Sequence, residues 1–148
     1  MRAGRVRAKL RSMSAIQNKE IVRRFVDEYQ TGASESAFQE LLDPDVVDHS
    51  RPPGIAPGAD GVRQQFDGFR AAFPDFRAEI LDQVAEGDKV VTYKAFHGTH
   101  EGELWGIPPT GRQVRISLID IVRIRDGRIA EHWNVVDRAG LMQQLGVS

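Results

Sequence analysis

The chain has 148 residues, 41% of them hydrophobic, a formal net charge of −1 and no cysteine. Such a length suits one compact domain with a real core, and so balanced a charge gives no reason to expect nucleic acid or an anionic membrane as partner. The missing cysteines exclude a disulfide framework, a thiolate metal site and a Cys nucleophile, and no apolar run approaches the ~20 residues that span a bilayer.

Residues 1–14 are basic through Arg2, Arg5, Arg7, Lys9 and Arg11 but lack the apolar centre of a secretion signal. They read as a flexible leader, or as the product of an upstream start with Met13 as the working initiator. A single domain over 15–148 and a cytoplasmic location are expected. Ile21, Val22, Phe25, Val26 and Tyr29 recur at helical spacing, and Thr31-Gly32 supplies the stop. A short helix from Ser36 to Leu42 follows, opened by Ser34 or Ser36. Asp43-Pro44-Asp45 ends it, and Val46 to His49 reads as a brief strand. The Pro- and Gly-rich stretch from Arg51 to Gly58 is irregular. A third helix carries Val62, Phe66, Phe69 and Phe73 on one stripe and is closed by Pro74.

From there the period becomes that of strands: Phe76 to Val84, Lys89 to His97, Gln113 to Arg125 and Arg128 to Val136, with a long loop from Glu101 to Arg112. Asp126-Gly127 is the strongest hairpin signal, and Arg138 to Leu145 closes the chain as a helix. Helices followed by hairpin-linked strands favour α+β with a curved antiparallel sheet. The N-terminal helices pack on its concave face and leave a pocket between the layers.

In the strand Arg115 to Arg125 one face carries Ile116, Leu118, Val122 and Ile124, with Asp120 among them. Burying a charge there costs several kcal/mol, roughly, unless it is paired or protonated. Asp120 is therefore either a satisfied buried carboxylate or a functional one. Its apolar surroundings should raise its pKa. Across Asp126-Gly127, residues whose numbers sum to about 254 face each other, which brings Asp120 near Trp133 and Asn134. Asp48 and His49 on the first strand, and His132 beside Asn134, are further candidates. Asp48 serves equally well as a turn cap or a partner of Arg51, and the histidines as ordinary half-buried residues. His100 stands at a pocket mouth but lacks metal partners at usable spacing, and a set of His97, His100 and Asp120 is the weaker reading. Trp105 is a lid residue or loop packing. Phe66, Phe69, Tyr93 and Leu118 are expected to shape the substrate pocket. No nucleophile elbow, phosphate loop or dinucleotide fingerprint occurs, so neither a nucleotide cofactor nor a metal is expected.

The stretches Glu20 to Val26, Asp43 to Val46, Phe73 to Phe76, Gly98-Thr99-His100 with Gly102, Gly106 to Gly111, Ile124 to Ile129, Glu131 to Trp133, Asp137 and Gln144 to Gly146 resemble, in order and spacing, a SnoaL-like polyketide (ester) cyclase of the NTF2-like superfamily. The resemblance covers residues of about 16 to 146. It implies a cone-shaped α+β barrel, a homodimer or larger assembly, and cofactor-free ring closure by intramolecular aldol condensation of a polyketide ester. It also implies that the family's proton-carrying Asp falls at Asn134, its His at Asp120, its Gln at Leu118 and its Asn at Asp48. Since an amide is no base, Asp120 becomes the expected substitute base, with Asn134 orienting an oxygen and Asp48 as second carboxylate. Two alternatives stay open: epoxide hydrolysis or cofactor-free hydroxylation, and a non-catalytic small-molecule-binding module.

Overall fold

A computed structural model describes the backbone of residues 2–147 and the side chains of Arg5 and residues 14–147. Helix α1 spans Arg2–Arg24 and runs straight into a π-helical segment, Phe25–Thr31. The backbone of the basic leader is continuous with α1, while most of its side chains lie outside the described residues. Val22, Phe25, Val26 and Tyr29 are buried as their spacing predicts, and the turn after them closes through Gly32 and Ala33. Helix α2 (Glu35–Leu41) starts where Ser34 accepts from the amide of Ala37 at 3.2 Å, which satisfies one of the orphan donors of its first turn.

Strand β1 (Leu42–Asp48) begins without a break and includes the Asp43-Pro44-Asp45 stretch expected to separate helix from strand. Pro44 is tolerated because β1 is an edge strand and its pairing shifts register between Leu42 and Val47. Helix α3 (Gly58–Ala72) ends with Phe73 as its cap, just before Pro74. Strands β2 (Arg77–Glu86), β3 (Lys89–Thr99), β4 (Gln113–Arg125) and β5 (Arg128–Val136) follow, then helix α4 (Arg138–Leu145).

The sheet order is β1-β5-β4-β3-β2, with β2 to β5 antiparallel and β1 parallel to β5. The α+β fold with helices on a curved sheet is as expected, and one detail differs: the expected antiparallel sheet has one parallel edge. The sheet is mixed, because β1 reaches β5 from far along the chain and no hairpin dictates its direction. The cone is open, because β1 and β2 are separate edges. Even-numbered residues of β3 and β4 share the inner face with Ile129 and, past the register shift, His132, Asn134 and Val136 of β5: Val90, Phe96, Ile116, Leu118 and Val122 are buried there. Across from them stand Val22, Phe25 and Val26 on one side and Val62, Phe66 and Phe69 of α3 on the other. Between these layers lies a cavity of about 460 Å³. No helix among the described residues is long and apolar enough to cross a membrane.

Candidate functional site

Strand alternation, which sends apolar side chains inward, also sends in one charged side chain from each of four neighbouring strands. Asp48 of β1 stands in register with His132 of β5. His132 lies diagonally across from Asp120 of β4, whose direct partners are Asn134 on β5 and Thr92 on β3. Lys94 of β3 is the next diagonal neighbour. The contacts follow that order. His132 Nδ1 meets Asp48 Oδ1 at 3.0 Å and its Nε2 meets Asp120 Oδ1 at 2.7 Å. Lys94 Nζ forms an ion pair with Asp120 Oδ2, donates to Gln30 Oε1 at 3.1 Å and sits over the ring of Phe96. The result is a row of alternating sign, −, +, −, +, across the cavity floor.

Asp120 and Lys94, at the inner end of the row, are removed from water, at 5% and 4% exposure. Burial by itself would push Asp120 upward, but the Lys94 ammonium and the His132 ring outweigh it and hold the carboxyl at about 2. The expectation of a raised pKa is thus overturned: the strand face is apolar, yet its diagonal neighbours are cations. Burial likewise opposes charge on His132, but hydrogen bonds to Asp120 and Asp48 raise it to about 9. Asp48 is lowered despite its burial, by His132 and by the backbone amide of Ser50. At neutral pH the row therefore holds two carboxylates, an imidazolium donating from both nitrogens, and an ammonium.

The row's two carboxylates differ in one respect. Both oxygens of Asp120 are engaged by cations, whereas Asp48 meets one cation, with Oδ1 accepting from His132 and from the Ser50 amide. Asp48 lines the cavity beside Gln65, whose side-chain amide is a further donor to its carboxyl. Asn134 is tied down by its backbone, which exchanges hydrogen bonds with Ser50 Oγ at 3.0 and 3.3 Å. Its side-chain amide lines the cavity without a bond to any described residue.

Phe66, Phe69, Trp105, Leu118 and His132 line the same cavity, as do Asp48, Asp120 and Asn134. Trp105 sits at the tip of the turn closed by Leu104 and Ile107, with φ of 48°, edge-on to Phe69. Three expected lining residues lie elsewhere. Tyr93 is odd-numbered on β3, so it faces outward beside Ile119 and is 42% exposed. His49 follows inward-facing Asp48, so its ring goes to the outer face, where it stacks on Trp133 at 4.5 Å and approaches Glu131. His100 is fully buried beneath the loop after β3, with Nδ1 accepting from the Thr110 amide at 3.2 Å and its ring against Phe73. His97 faces outward towards Glu79, so His97, His100 and Asp120 occupy three separate environments.

Lys94 and Gln30 were not anticipated from the sequence. Lys94 was legible by the reasoning that singled out Asp120, since it alternates with Val90, Thr92 and Phe96 on a strand. Gln30 offered no such signal, because its position depends on the π-helical turn that carries it inward.

Comparison with known proteins agrees with this architecture. The family model for SnoaL-like polyketide cyclase matches residues 20–145. Aklanonic acid methyl ester cyclase DauD of Streptomyces sp. strain C5 is 30% identical over 135 residues, covering 86% of this chain and 80% of that one. TsrD of Streptomyces laurentii superposes with a TM-score of 0.82 at 29% identity, over 90% of this chain and 97% of its own. IdmH of Streptomyces antibioticus does so with a TM-score of 0.77 at 34% identity, over 88% and 99%. With the match extending over both the fold and the strands that carry the charged row, the chain belongs to the SnoaL-like polyketide cyclase family.

Proposed function

We propose that the chain closes a ring within a small, oxygen-rich polyketide ester by an intramolecular aldol reaction, using its own side chains for proton transfer. The observation that carries this reading is the Asp48–His132–Asp120–Lys94 row on the floor of an otherwise apolar cavity. Asp48 Oδ2 accepts the proton from the carbon beside the substrate carbonyl. The enolate adds to the second carbonyl of the same molecule, and Asp48 returns the proton to the new alkoxide, so no atom is gained or lost. The Asn134 amide faces the oxygen on which charge develops, where a fixed donor acts most strongly, and the His132 imidazolium adds its positive charge nearby without a free N–H. Asp120, locked by Lys94, keeps His132 charged and oriented. In this assignment Asp120 supports the base instead of being the base, because a carboxyl held near 2 with both oxygens engaged is a poor proton acceptor. General acid–base help of this kind is worth about 10²–10⁴ in rate.

The test uses a polyketide methyl ester of the kind named for DauD. Asp48→Asn should remove turnover while ligand affinity stays within a few-fold, and Asp120→Asn should slow it less. Turnover unchanged in both variants would exclude the row from the chemistry. A second reading has one observation in its favour: a cavity-lining carboxylate beside an imidazolium also suits a bound water and epoxide hydrolysis. Incorporation of oxygen from labelled water into product separates the two.

The expected homodimer is supported by the outer sheet face, where Tyr93, Ile119 and Val135 form a paired row at 42, 47 and 76% exposure. Sedimentation of Ile119→Lys against the unaltered chain tests it.

A further inference from the structure

Three side-chain amides line the cavity, those of Gln30, Gln65 and Asn134. Asn134 has a place in the proposed chemistry, and Gln65 donates to the Gly61 carbonyl at 3.4 Å and to the Asp48 carboxyl. Gln30 is left over. It is 5% exposed and belongs to the π-helical segment Phe25–Thr31. Arg70 of α3 holds the end of that segment. Its guanidinium donates to the carbonyls of Tyr29 and Gln30 at 2.5 and 3.3 Å and lies over the Tyr29 ring at 4.8 Å. The backbone that carries Gln30 inward is thus fixed from a second element.

Which end of the amide the cavity meets is decided by Lys94. An ammonium has three donors and no acceptor, so its contact with Gln30 at 3.1 Å is to the carbonyl oxygen. Lys94 is itself held by Asp120. With the oxygen occupied, the NH2 group of Gln30 is what remains. Among the described residues it meets no acceptor, yet it is not one of the polar groups sealed away from solvent without a partner, so it opens on the cavity that Gln30 lines. Buried polar groups are almost always paired, and this one is left for a guest to pair.

We propose that Gln30 Nε2 anchors a neutral oxygen acceptor of the substrate, a ketone or ester carbonyl, at the end remote from the carbon that reacts. This deepens the reading of the cavity as a cyclase substrate site and rests on it. Asp48 stands on β1 and Lys94 on β3, three strand spacings apart, which is about 14 Å along the sheet at about 4.8 Å per strand. One molecule therefore meets Asp48 at its reacting carbon and Gln30 at a distant oxygen. An anion gains nothing further from this end, since the charge of Lys94 is already matched by Asp120. A cation finds no acceptor on the open side of the amide. A guest with no oxygen there leaves the amide unpaired, and a site built to hydrogen-bond rejects such an analogue more sharply than it rejects a missing methylene.

The experiment measures binding without turnover, by calorimetry, with methyl 2-naphthyl ketone and 2-isopropenylnaphthalene, which share a shape and differ in C=O against C=CH2. The ketone should bind roughly tenfold more tightly, the discrimination of one buried neutral hydrogen bond. That preference should vanish in Gln30→Met. It should vanish also in Gln30→Glu, which keeps an oxygen for Lys94 and removes the donor pair. The side-chain amide signals of Gln30 in the magnetic resonance spectrum of the isotope-labelled chain, identified by their loss in either variant, should move with the ketone and stay in place with the hydrocarbon. Equal affinity for the two probes, a preference that survives both variants, or ketone binding that leaves the Gln30 signals unmoved overturns the anchor and leaves the cyclase reading standing. Failure of both probes to bind the unaltered chain overturns the anchor together with the substrate cavity. Turnover of Asp48→Asn tests the cyclase reading separately.

Discussion

Replacing His132 by Gln removes the positive charge between two carboxylates while keeping a polar side chain of similar reach. In the folded chain the ring donates to Asp120 at 2.7 Å and to Asp48 at 3.0 Å, and its pKa stands at about 9 against an ordinary 6.5. A folded-state pKa above the unfolded one means that folding takes up a proton. The stability this contributes is fully present below about pH 6.5 and is lost as pH rises through about 9. The difference corresponds to about 3 kcal/mol at 1.36 kcal/mol per unit. Urea denaturation between pH 6 and 10 should show the unaltered chain losing about 3 kcal/mol relative to His132→Gln across that window. Asp48 and Asp120 remain ionised throughout and do not contribute to the difference, because both titrate below their ordinary values. Parallel stability profiles for the two proteins would refute the charged row.

Lys94→Met strips Asp120 of its ammonium while leaving it buried. Breaking one partner of such a pair costs about 3–5 kcal/mol, and a loss under 1 kcal/mol by denaturant titration would mean that Lys94 does not compensate Asp120. In the acid range Asp120 acts with the opposite sign to His132: its depressed pKa contributes stability above about pH 4 that is lost as pH falls towards 2. Asp120→Asn should therefore flatten the acid limb of the stability curve, and an unchanged limb would contradict the assignment. Gly98→Ala places a methyl 2.6 Å from Phe73 Cβ, and such overpacking costs about 1–3 kcal/mol. A melting temperature unchanged by that substitution would show that the contact between β3 and the end of α3 is loose.

Much of the fold was legible because it is encoded by neighbours in the chain. The hairpin at Asp126-Gly127 set the pairing of β4 with β5, and Asp120 does face Asn134. Ser34, Gly32 and Pro74 punctuate helices where their backbone chemistry requires. The inward direction of Asp120 followed from period-two alternation alone, and so does that of Lys94. What alternation does not reveal is which strands lie side by side, since that depends on contacts between residues far apart in sequence. Asp48 joins His132 across 84 residues and Gln30 reaches Lys94 across 64. The same limit explains the burial of His100 and the parallel setting of β1, which are decided by packing between distant segments, whereas the outward turns of His49 and Tyr93 follow from alternation beside Asp48 and Lys94. Local sequence thus determined that a carboxylate would be buried on this sheet. Only the tertiary structure, by surrounding it with Lys94 and His132, decided that its pKa would be lowered and not raised, because a buried group's proton affinity is set by the charges beside it.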